Sequence, residues 1–436
     1  MVDTVLNNMH KRVVISGIGV VSSIGSGKTS FLSSLKEGKN GIQYIPELAA
    51  KGFGCCLGGV PTVESHPLFK YLSDYNLQDA PTNIAYAVLS GLEAWLDAGL
   101  NIPSFDSEQA DYDSGVFVGS VAGNIELIAN TVIPFINNGD VRKLGSKTME
   151  YFQLHSSAAF LSQILALGNI TSVNSSACAS STESIYNAYE RIKYGKAQRM
   201  LAGGSDAYSH YIWGVVDAAR MTTRKFNKTP EKASRPMSAS ASGFVPAAGS
   251  GFLLLEDMES AINRGAKIYA EIIGGHLNSG GQRNGGNMTA PNPIGVQLCI
   301  EEAIKDANIK ASEIDLIAGH LTSTMADVIE VMCWSGALKR KQKDFPFINS
   351  LKSIAGHHLG AAGAIETIAA VLQLKEQFIH PSLNCEDLHP IIEKNIGTDN
   401  IPHKTINNID LKYIAKANFG TGDTNACIIL KKFENK

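Results

Sequence analysis

The sequence predicts an α/β protein whose parallel sheets carry helices on both faces, built as two similar halves, residues 1–270 and 271–436. Three observations predict it. Apolar strand-like runs alternate with amphipathic helical runs along the chain, the pattern of parallel sheets. A stretch of small residues leads into a long helix at Cys178 and again at His357, which points to an internal duplication. The 436 residues are too many for one simple core, while 44% apolar content can fill two and 41 glycines fit close backbone approaches.

The elements follow in order. "RVVISGIGVVS" reads as a buried strand and "KTSFLSSLKEGK" as the helix after it. "TNIAYAVLSGLEAWLDAGL" is an amphipathic helix closing on Gly99. "SGVFVGSVAG" is a continuous apolar strand. "TSVNSSA" is another, leading into the helix "CASSTESIYNAYERIKYGK" and then the strand "RMLAGGSDA". "SGFLLLED" and "KIYAEIIGGHL" read as consecutive strands. Beyond residue 270 the rhythm repeats: helix "GVQLCIEEAIKDANI", strand "IDLIAGHL", helix "ADVIEVMCWSGAL", strand "PFINSLKS" and helix "GAAGAIETIAAVLQLKE". "YIAKANFGTGDTNACIILKKF" closes the chain as two strands around a glycine turn.

Composition excludes several roles. A net charge of −3 argues against a nucleic-acid or anionic-membrane surface. The seven cysteines (55, 56, 178, 299, 333, 385 and 427) are odd in number, include an adjacent pair and form no C-x-x-C. A disulfide framework or zinc site is therefore not expected, and a reducing cytoplasm is. The start, "MVDTVLNNMHKRVVISGIGVV", is polar where a signal peptide needs its apolar core, and no apolar run reaches the roughly 18 residues of a membrane span. "GIGVVSSIGSGKTS" fails both as a phosphate loop and as a dinucleotide fingerprint, because each needs Gly where Ser22 stands.

The chemistry begins at "SSACASS". At the first turn of a helix, unpaired N–H groups and the macrodipole favour a thiolate, so a lowered pKa is expected of Cys178. The bland reading is a buried small hydrophobe, since free cysteine is among the most buried residue types. Two other strand ends add to it. "LIAGHLTSTMAD" places His320, Thr322 and Thr324 after one strand. "INSLKSIAGHHLGAAGAIE" places Lys352 and then His357 after another, with His358 beside it an equal candidate for the buried histidine. Ligands gather at such strand-to-helix turns, and Cys, His, Lys and His there form a convergent site.

These pieces carry a family resemblance. "SSACASS", "AGGSDA", "MTTRKFNKTPEKASRPMSASASGF", "GHLTST", "LKSIAGHHLGAAGAIE" and "NFGTGDTN" resemble, in order and over nearly the whole chain, the elongating Cys-His-His β-ketoacyl-[acyl-carrier-protein] synthases of the thiolase-like superfamily. The resemblance implies a five-layered αβαβα fold of two duplicated halves. It implies that Cys178 carries an acyl thioester, that His320 and His357 stabilise the enolate from malonyl-carrier protein, and that Lys352 tunes the site. The backbone N–H groups of Cys178 and Thr421 would form the oxyanion hole. Thr322, Thr324 and Thr289 would bind the pantetheine arm, and Phe419 and Thr421 would line the pocket and gate. Arg224, Lys225 and Lys228 would dock the acyl-carrier protein, in a basic loop that also holds Lys232 and Arg235; an ordinary solvated loop is the plainer reading. No metal or resident cofactor is implied, since phosphopantetheine arrives on the carrier protein. A dimer is implied, of two copies or with a ketosynthase-like partner.

Departures from the family pattern fall close to the site. Its gating Phe is Thr421, its Gly after the first catalytic His is Leu321, and the loop after Thr324 is one residue short. A C-terminal Gly is Asp423, and three acidic positions are Ser238, Ser242 and Ala248. The structural glutamate is kept as Glu366, but its Asn partner is Ala318. These changes bear on substrate more than reaction class, and they lead to the expectation of an acyl group unlike ordinary saturated chains, in polyene or polyketide assembly. Two competing readings stand beside this one. A non-catalytic chain-length partner would lack the nucleophile that Cys178 supplies. A degradative thiolase would need a second catalytic Cys in a C-terminal glycine turn, whereas Cys427 falls inside the last strand.

Overall fold

The computed structural model describes residues 10–104 and 108–434; the first nine residues, part of the stretch read above for a signal core, lie outside them. Among the described residues, ten principal strands form one continuous sheet. They are β1 Val13–Ser22, β2 Ser114–Gly119, β3 Thr171–Asn174, β4 Arg199–Asp206 and β5 Gly249–Asp257, then β6 Ala270–Ser279, β7 Leu316–Ala318, β8 Phe347–Asn349, β9 Tyr413–Gly420 and β10 Thr424–Lys432. The spatial order is β8-β7-β9-β10-β6-β1-β5-β4-β2-β3, and Gly25–Ser26 pairs with the end of β1 as an eleventh strand.

The order reveals the duplication. Outward from the seam between β1 and β6, each set of five runs first, fifth, fourth, second, third in its own chain order. In each set the outer three strands are parallel and the inner two antiparallel. The seam is short, pairing only Val13–Ile15 with Ala270–Ile272. The two five-stranded sheets are thus free to diverge and enclose a layer between them.

Two helices fill that layer: α3 Ser180–Lys193 and α6 Ala362–Glu376. They pack on each other and on strands from both halves. Every residue of α6 from Ala362 to Leu374 is buried, the expected state of a helix with no polar face. Its small residues let backbones meet: a Cβ on Gly363 would stand 2.2 Å from Thr182 Oγ1 of α3. The outer layers are α1 Thr82–Asp97 and α2 Ser156–Leu165 on one sheet, and α4 Pro293–Asp306 with α5 Ala326–Leu338 on the other. Helix, sheet, helix, sheet, helix makes five layers.

"SGFLLLED" and "KIYAEIIGGHL" are consecutive strands in the chain, as their sequence indicates, with a short helix, Met258–Asn263, between them and β1 between them in the sheet. Two readings of the sequence need correction. "IDLIAGHL" and "PFINSLKS" shrink to three-residue strands. Past Ala318, the His320 and Leu321 N–H groups leave the ladder and donate to the Glu330 carboxylate at 2.8 and 2.7 Å. Past Asn349, Lys352 opens a short helix, Lys352–Ala355.

Candidate active site

Four strand ends converge where α3 and α6 begin. After β3 the chain makes a 3₁₀ turn, Ala177–Ala179, and α3 starts only at Ser180, so Cys178 rides on the turn before the helix rather than in its first turn. Hydroxyls hold the turn. Ser176 N–H donates to Ser180 Oγ at 2.9 Å, and Ser180 Oγ donates to the Ala177 carbonyl at 2.6 Å. The turn after β9 presses against it, since a Cβ on Gly420 would stand 2.6 Å from the Ser176 carbonyl oxygen. That contact brings the Thr421 N–H to the Cys178 sulfur.

The two histidines face the sulfur as neutral donors. His357 Nε2 lies 3.1 Å from Cys178 Sγ, and the two imidazoles stand nearly perpendicular with centroids 5.3 Å apart. Leu359 N–H donates to His357 Nδ1 at 3.2 Å, which makes Nδ1 the acceptor and leaves the ring proton on Nε2. His320 is set the same way: Asn418 Nδ2 at 3.0 Å and the Lys352 ammonium at 3.3 Å both donate toward its Nδ1. Burial, and next the positive charge of Lys352, hold both imidazoles well below their usual range. Each therefore offers an Nε2–H to whatever oxygen develops charge between them.

Beneath them lies a buried ionic cluster. Lys352 Nζ donates to the His320 carbonyl at 2.7 Å and to Glu366, while Lys416 Nζ reaches the other Glu366 oxygen at 2.9 Å. Asn418 Nδ2 donates to Glu366 at 3.0 Å as well as to His320. Despite the burial that opposes it, the two ammonium groups hold the Glu366 carboxyl down to about 2. Ala318 lacks the amide of the family's Asn, and Asn418 supplies one from β9.

The expected lowering of the Cys178 pKa is not found. Burial pushes the thiol up to about 11, and only in part do the Lys352 charge and the Thr421 N–H pull it back. The resting group is a thiol.

A chamber of about 550 Å³ opens from this site to the surface. Thr322, Thr324, Thr289, Phe419 and Thr421 all line it with Cys178, His320 and His357. The Thr322 and Thr324 hydroxyls bond each other at 2.9 Å, and exposed Thr289 and Met325 mark the mouth. Lys352 stays behind the wall, 1% exposed, and touches His320 rather than the chamber. His358 is fully buried with both ring nitrogens unpartnered among the described residues, so of the adjacent pair His357 is the one in the site. Lys225, Lys228 and Lys232 are exposed on the loop beyond Met221, which lines the chamber. Arg224 is half-exposed and braced by Asp217 at 2.6 Å to its carbonyl. Arg235 does not join that patch: it is paired with Asp387 at 2.9 Å and Glu386 at 3.3 Å. Asp387 also accepts from the Ser238 hydroxyl, so a neighbouring loop supplies the carboxylate missing at that position.

Several working residues escaped the sequence reading. Glu330 and Asp327, on α5, accept backbone N–H groups from His320 to Ser323 and fix that loop. Their offset from His320, on a helix that follows at once, was the available signal. Lys416, the lone charge within an apolar strand, was another. Two departures noted in the sequence also find their places: Asp423, 1% exposed at φ +65°, accepts from Gln282 N–H and Asn292 N–H at 2.8 Å each, tying the Thr421 turn to the loop that carries Thr289. Leu321 is fully buried at φ +27°.

Cys178, His320 and His357 could together hold a soft metal ion, their ligand atoms lying within 4.8 Å of one another. Ligation would need a bare Nε2 on both rings, and their Nδ1 partners place protons there instead. Among the described residues no helix is long and apolar enough to cross a membrane.

Comparison with known proteins agrees with the geometry. Residues 10–261 match the β-ketoacyl synthase N-terminal domain and residues 269–386 match its C-terminal domain. The 3-oxoacyl-[acyl-carrier-protein] synthase 1 of Haemophilus influenzae is 35% identical over 434 residues, covering 97% of this chain and 99% of the relative. Its Escherichia coli K12 namesake is 32% identical, covering 98% and 100%. Among solved structures, a type II polyketide synthase ketosynthase, bound to its acyl-carrier protein and to a hexaketide, superposes with a TM-score of 0.85 at 27% identity, covering 97% of this chain and 100% of that one. A β-ketoacyl synthase from Burkholderia phymatum superposes with a TM-score of 0.84 at 29% identity, with the same coverage.

Proposed function

Because this chain belongs to the β-ketoacyl synthase family, we propose that it is a working 3-oxoacyl-[acyl-carrier-protein] synthase, an acyltransferase that forms a carbon–carbon bond. The observation that carries the reading is the convergence of the Cys178 sulfur with two neutral histidines that both present Nε2–H. The Cys178 thiol loses its proton as it attacks an acyl thioester on the carrier protein. The acyl–sulfur bond forms and the carrier's pantetheine thiol leaves. Malonyl-carrier protein then enters, its carboxyl carbon departs as carbon dioxide, and the electron pair left behind forms an enolate whose oxygen takes the two Nε2–H donors. The enolate carbon attacks the thioester carbonyl, whose oxygen is held by the Cys178 and Thr421 N–H groups. Collapse expels the Cys178 thiolate, which recovers a proton.

Thr322, Thr324 and Thr289 position the pantetheine arm along the chamber, and Phe419 packs beside His320 with ring centroids 6.2 Å apart. Lys225, Lys228 and Arg224, near the mouth, meet the acidic carrier protein. The arm comes with that partner, and the enzyme keeps no cofactor of its own. The protein pairs with a second copy through the outer edge of β3, which ends its sheet, and exposed Ile133, Ile136, Met149 and Phe152 add apolar surface to the same half of the chain. Its free thiols and carrier-bound substrates fit the cytoplasm. Thr421 in place of a bulky gate fits an acyl group outside ordinary saturated chains, as in polyene or polyketide assembly. The nucleophile weighs against a purely chain-length-setting partner.

Incubation with acyl-carrier protein, followed by intact mass, tests the reading. An acyl adduct on the native enzyme, its loss in Cys178→Ala, and a β-ketoacyl product on adding malonyl-carrier protein are expected. An adduct that persists in Cys178→Ala moves the nucleophile elsewhere.

A further inference from the structure

Lys416 and Asn418, on β9, and Thr182, on α3, meet behind His320 with no exposure to solvent. The Lys416 ammonium engages all three of its N–H groups: Glu366 at 2.9 Å, the Ala417 carbonyl at 2.5 Å and Asn418 Oδ1 at 2.6 Å. The Thr182 hydroxyl donates to the same Oδ1 at 2.7 Å, which fills both acceptor sites of that oxygen. The other end of the amide meets acceptors. Asn418 Nδ2 donates to Glu366 at 3.0 Å and to His320 Nδ1 at 3.0 Å. A flipped amide would set its oxygen against a carboxylate and its NH₂ against an ammonium, so both ends fix one orientation.

The bonds all run one way. Lys416 donates to Asn418, Asn418 donates to His320, and the His320 proton is left on Nε2. Hydrogen bonds linked in this sense polarise one another, and a cation at the tail strengthens each donor ahead of it. His357 has no such tail, since its Nδ1 accepts from the Leu359 backbone N–H at 3.2 Å. Nor does Lys352 duplicate the chain. It lies 3.3 Å from His320 Nδ1, and its closer partners are the His320 carbonyl at 2.7 Å and Glu366. Lys352 alone would balance Glu366, so Lys416 adds a positive charge beyond that pair.

We propose that Lys416 is a positioning residue for the condensation, acting with Thr182 through the Asn418 amide to make His320 the stronger of the two Nε2–H donors. The assignment rests on the reading of His320 as a donor to the enolate oxygen. As negative charge develops on that oxygen, the donor chain already points at it, and no group has to reorient to meet it.

The test counts turnover per acylated enzyme, which does not depend on how much of a preparation is folded. Full-length native enzyme, Lys416→Met and Thr182→Val are each loaded from acyl-carrier protein, the adduct on Cys178 is measured by intact mass, and malonyl-carrier protein is then added. The same two substitutions are also made in His320→Ala. With His320 present, Lys416→Met should slow β-ketoacyl formation about tenfold and Thr182→Val roughly threefold. In His320→Ala neither should slow it further, because the two residues work through the missing ring. A purely structural role would slow both backgrounds alike. An unchanged rate in Lys416→Met, or an equal loss with and without His320, overturns the assignment and leaves the condensing reading intact. Thr182→Val keeps every charge and decides the matter if Lys416→Met does not acylate: no loss, or an equal loss in both backgrounds, overturns the assignment. Failure of the native enzyme to acylate overturns the condensing reading and this one with it.

Discussion

His357 Nε2 stands 3.1 Å from Cys178 Sγ, and with its proton held on that nitrogen it donates to the sulfur rather than taking a proton from it. The pair is therefore thiol and imidazole, not thiolate and imidazolium. With the thiol pushed up to about 11, the reactive fraction grows as pH rises. Alkylation of Cys178 by iodoacetamide should accelerate about tenfold per pH unit from pH 7 to 9 without levelling. A plateau below pH 8 would mean a pre-formed thiolate.

On the proposed mechanism the histidines act after the acyl group is loaded. His320→Ala and His357→Ala should still form the acyl-enzyme by mass, while β-ketoacyl product falls by roughly 10²- to 10³-fold for each. Loss of the adduct in both variants would place them in the first step instead.

Glu366 answers two buried ammonium groups, so its removal and theirs are unequal. Glu366→Gln leaves Lys352 and Lys416 without a counter-charge and should cost about 3–5 kcal/mol of stability, read by urea unfolding. Lys416→Met leaves a balanced Lys352–Glu366 pair and should cost clearly less. The carboxyl's depressed pKa, about 2, works in the same direction. Its contribution is fully present above the ordinary glutamate range and is lost as pH falls from there through about 2.

Asp423 latches the Thr421 turn to the 280–292 loop. Asp423→Ala removes the acceptor of two backbone N–H groups, and amide exchange across Gly280–Asn292 should speed up by roughly 10- to 100-fold. Uniform change over the whole protein would point to global destabilisation rather than a latch.

Leu321 sits where the family has glycine, at φ +27° and with no exposure. Leu321→Gly would relieve about 1–2 kcal/mol of backbone strain and forfeit about 2–5 kcal/mol of buried side chain. The melting temperature should therefore fall. A rise would mean that strain is the larger quantity.

Period and spacing made the halves legible, because strand and helix runs alternate cleanly and small-residue turns recur at Cys178 and His357. The four central site residues were legible too, since each follows a strand in a short recognisable motif. The sign of the Cys178 shift was not. A helix N-terminus is visible in a sequence, but the desolvation that outweighs it comes from walls contributed by distant segments, among them the Thr421 turn and the His357 loop. Asn418 and Lys416 escaped for a related reason: strand alternation marks them only as inward-facing polar residues, and their partner, Glu366, lies on a helix some fifty residues earlier. Arg235 was misread because its acidic partners, Glu386 and Asp387, come from a loop with no sequence link to it.

The burial of α6 on every side has a consequence for how the chain is made. A helix with no water-facing stripe cannot be completed against one sheet alone, because its other face would stay uncovered until the second sheet arrives. The first half leaves the ribosome without α6, and the second half finds half of its cover on strands synthesised long before. Assembly of this chain is thus a single late event, and the nucleophile meets its histidines only at that moment.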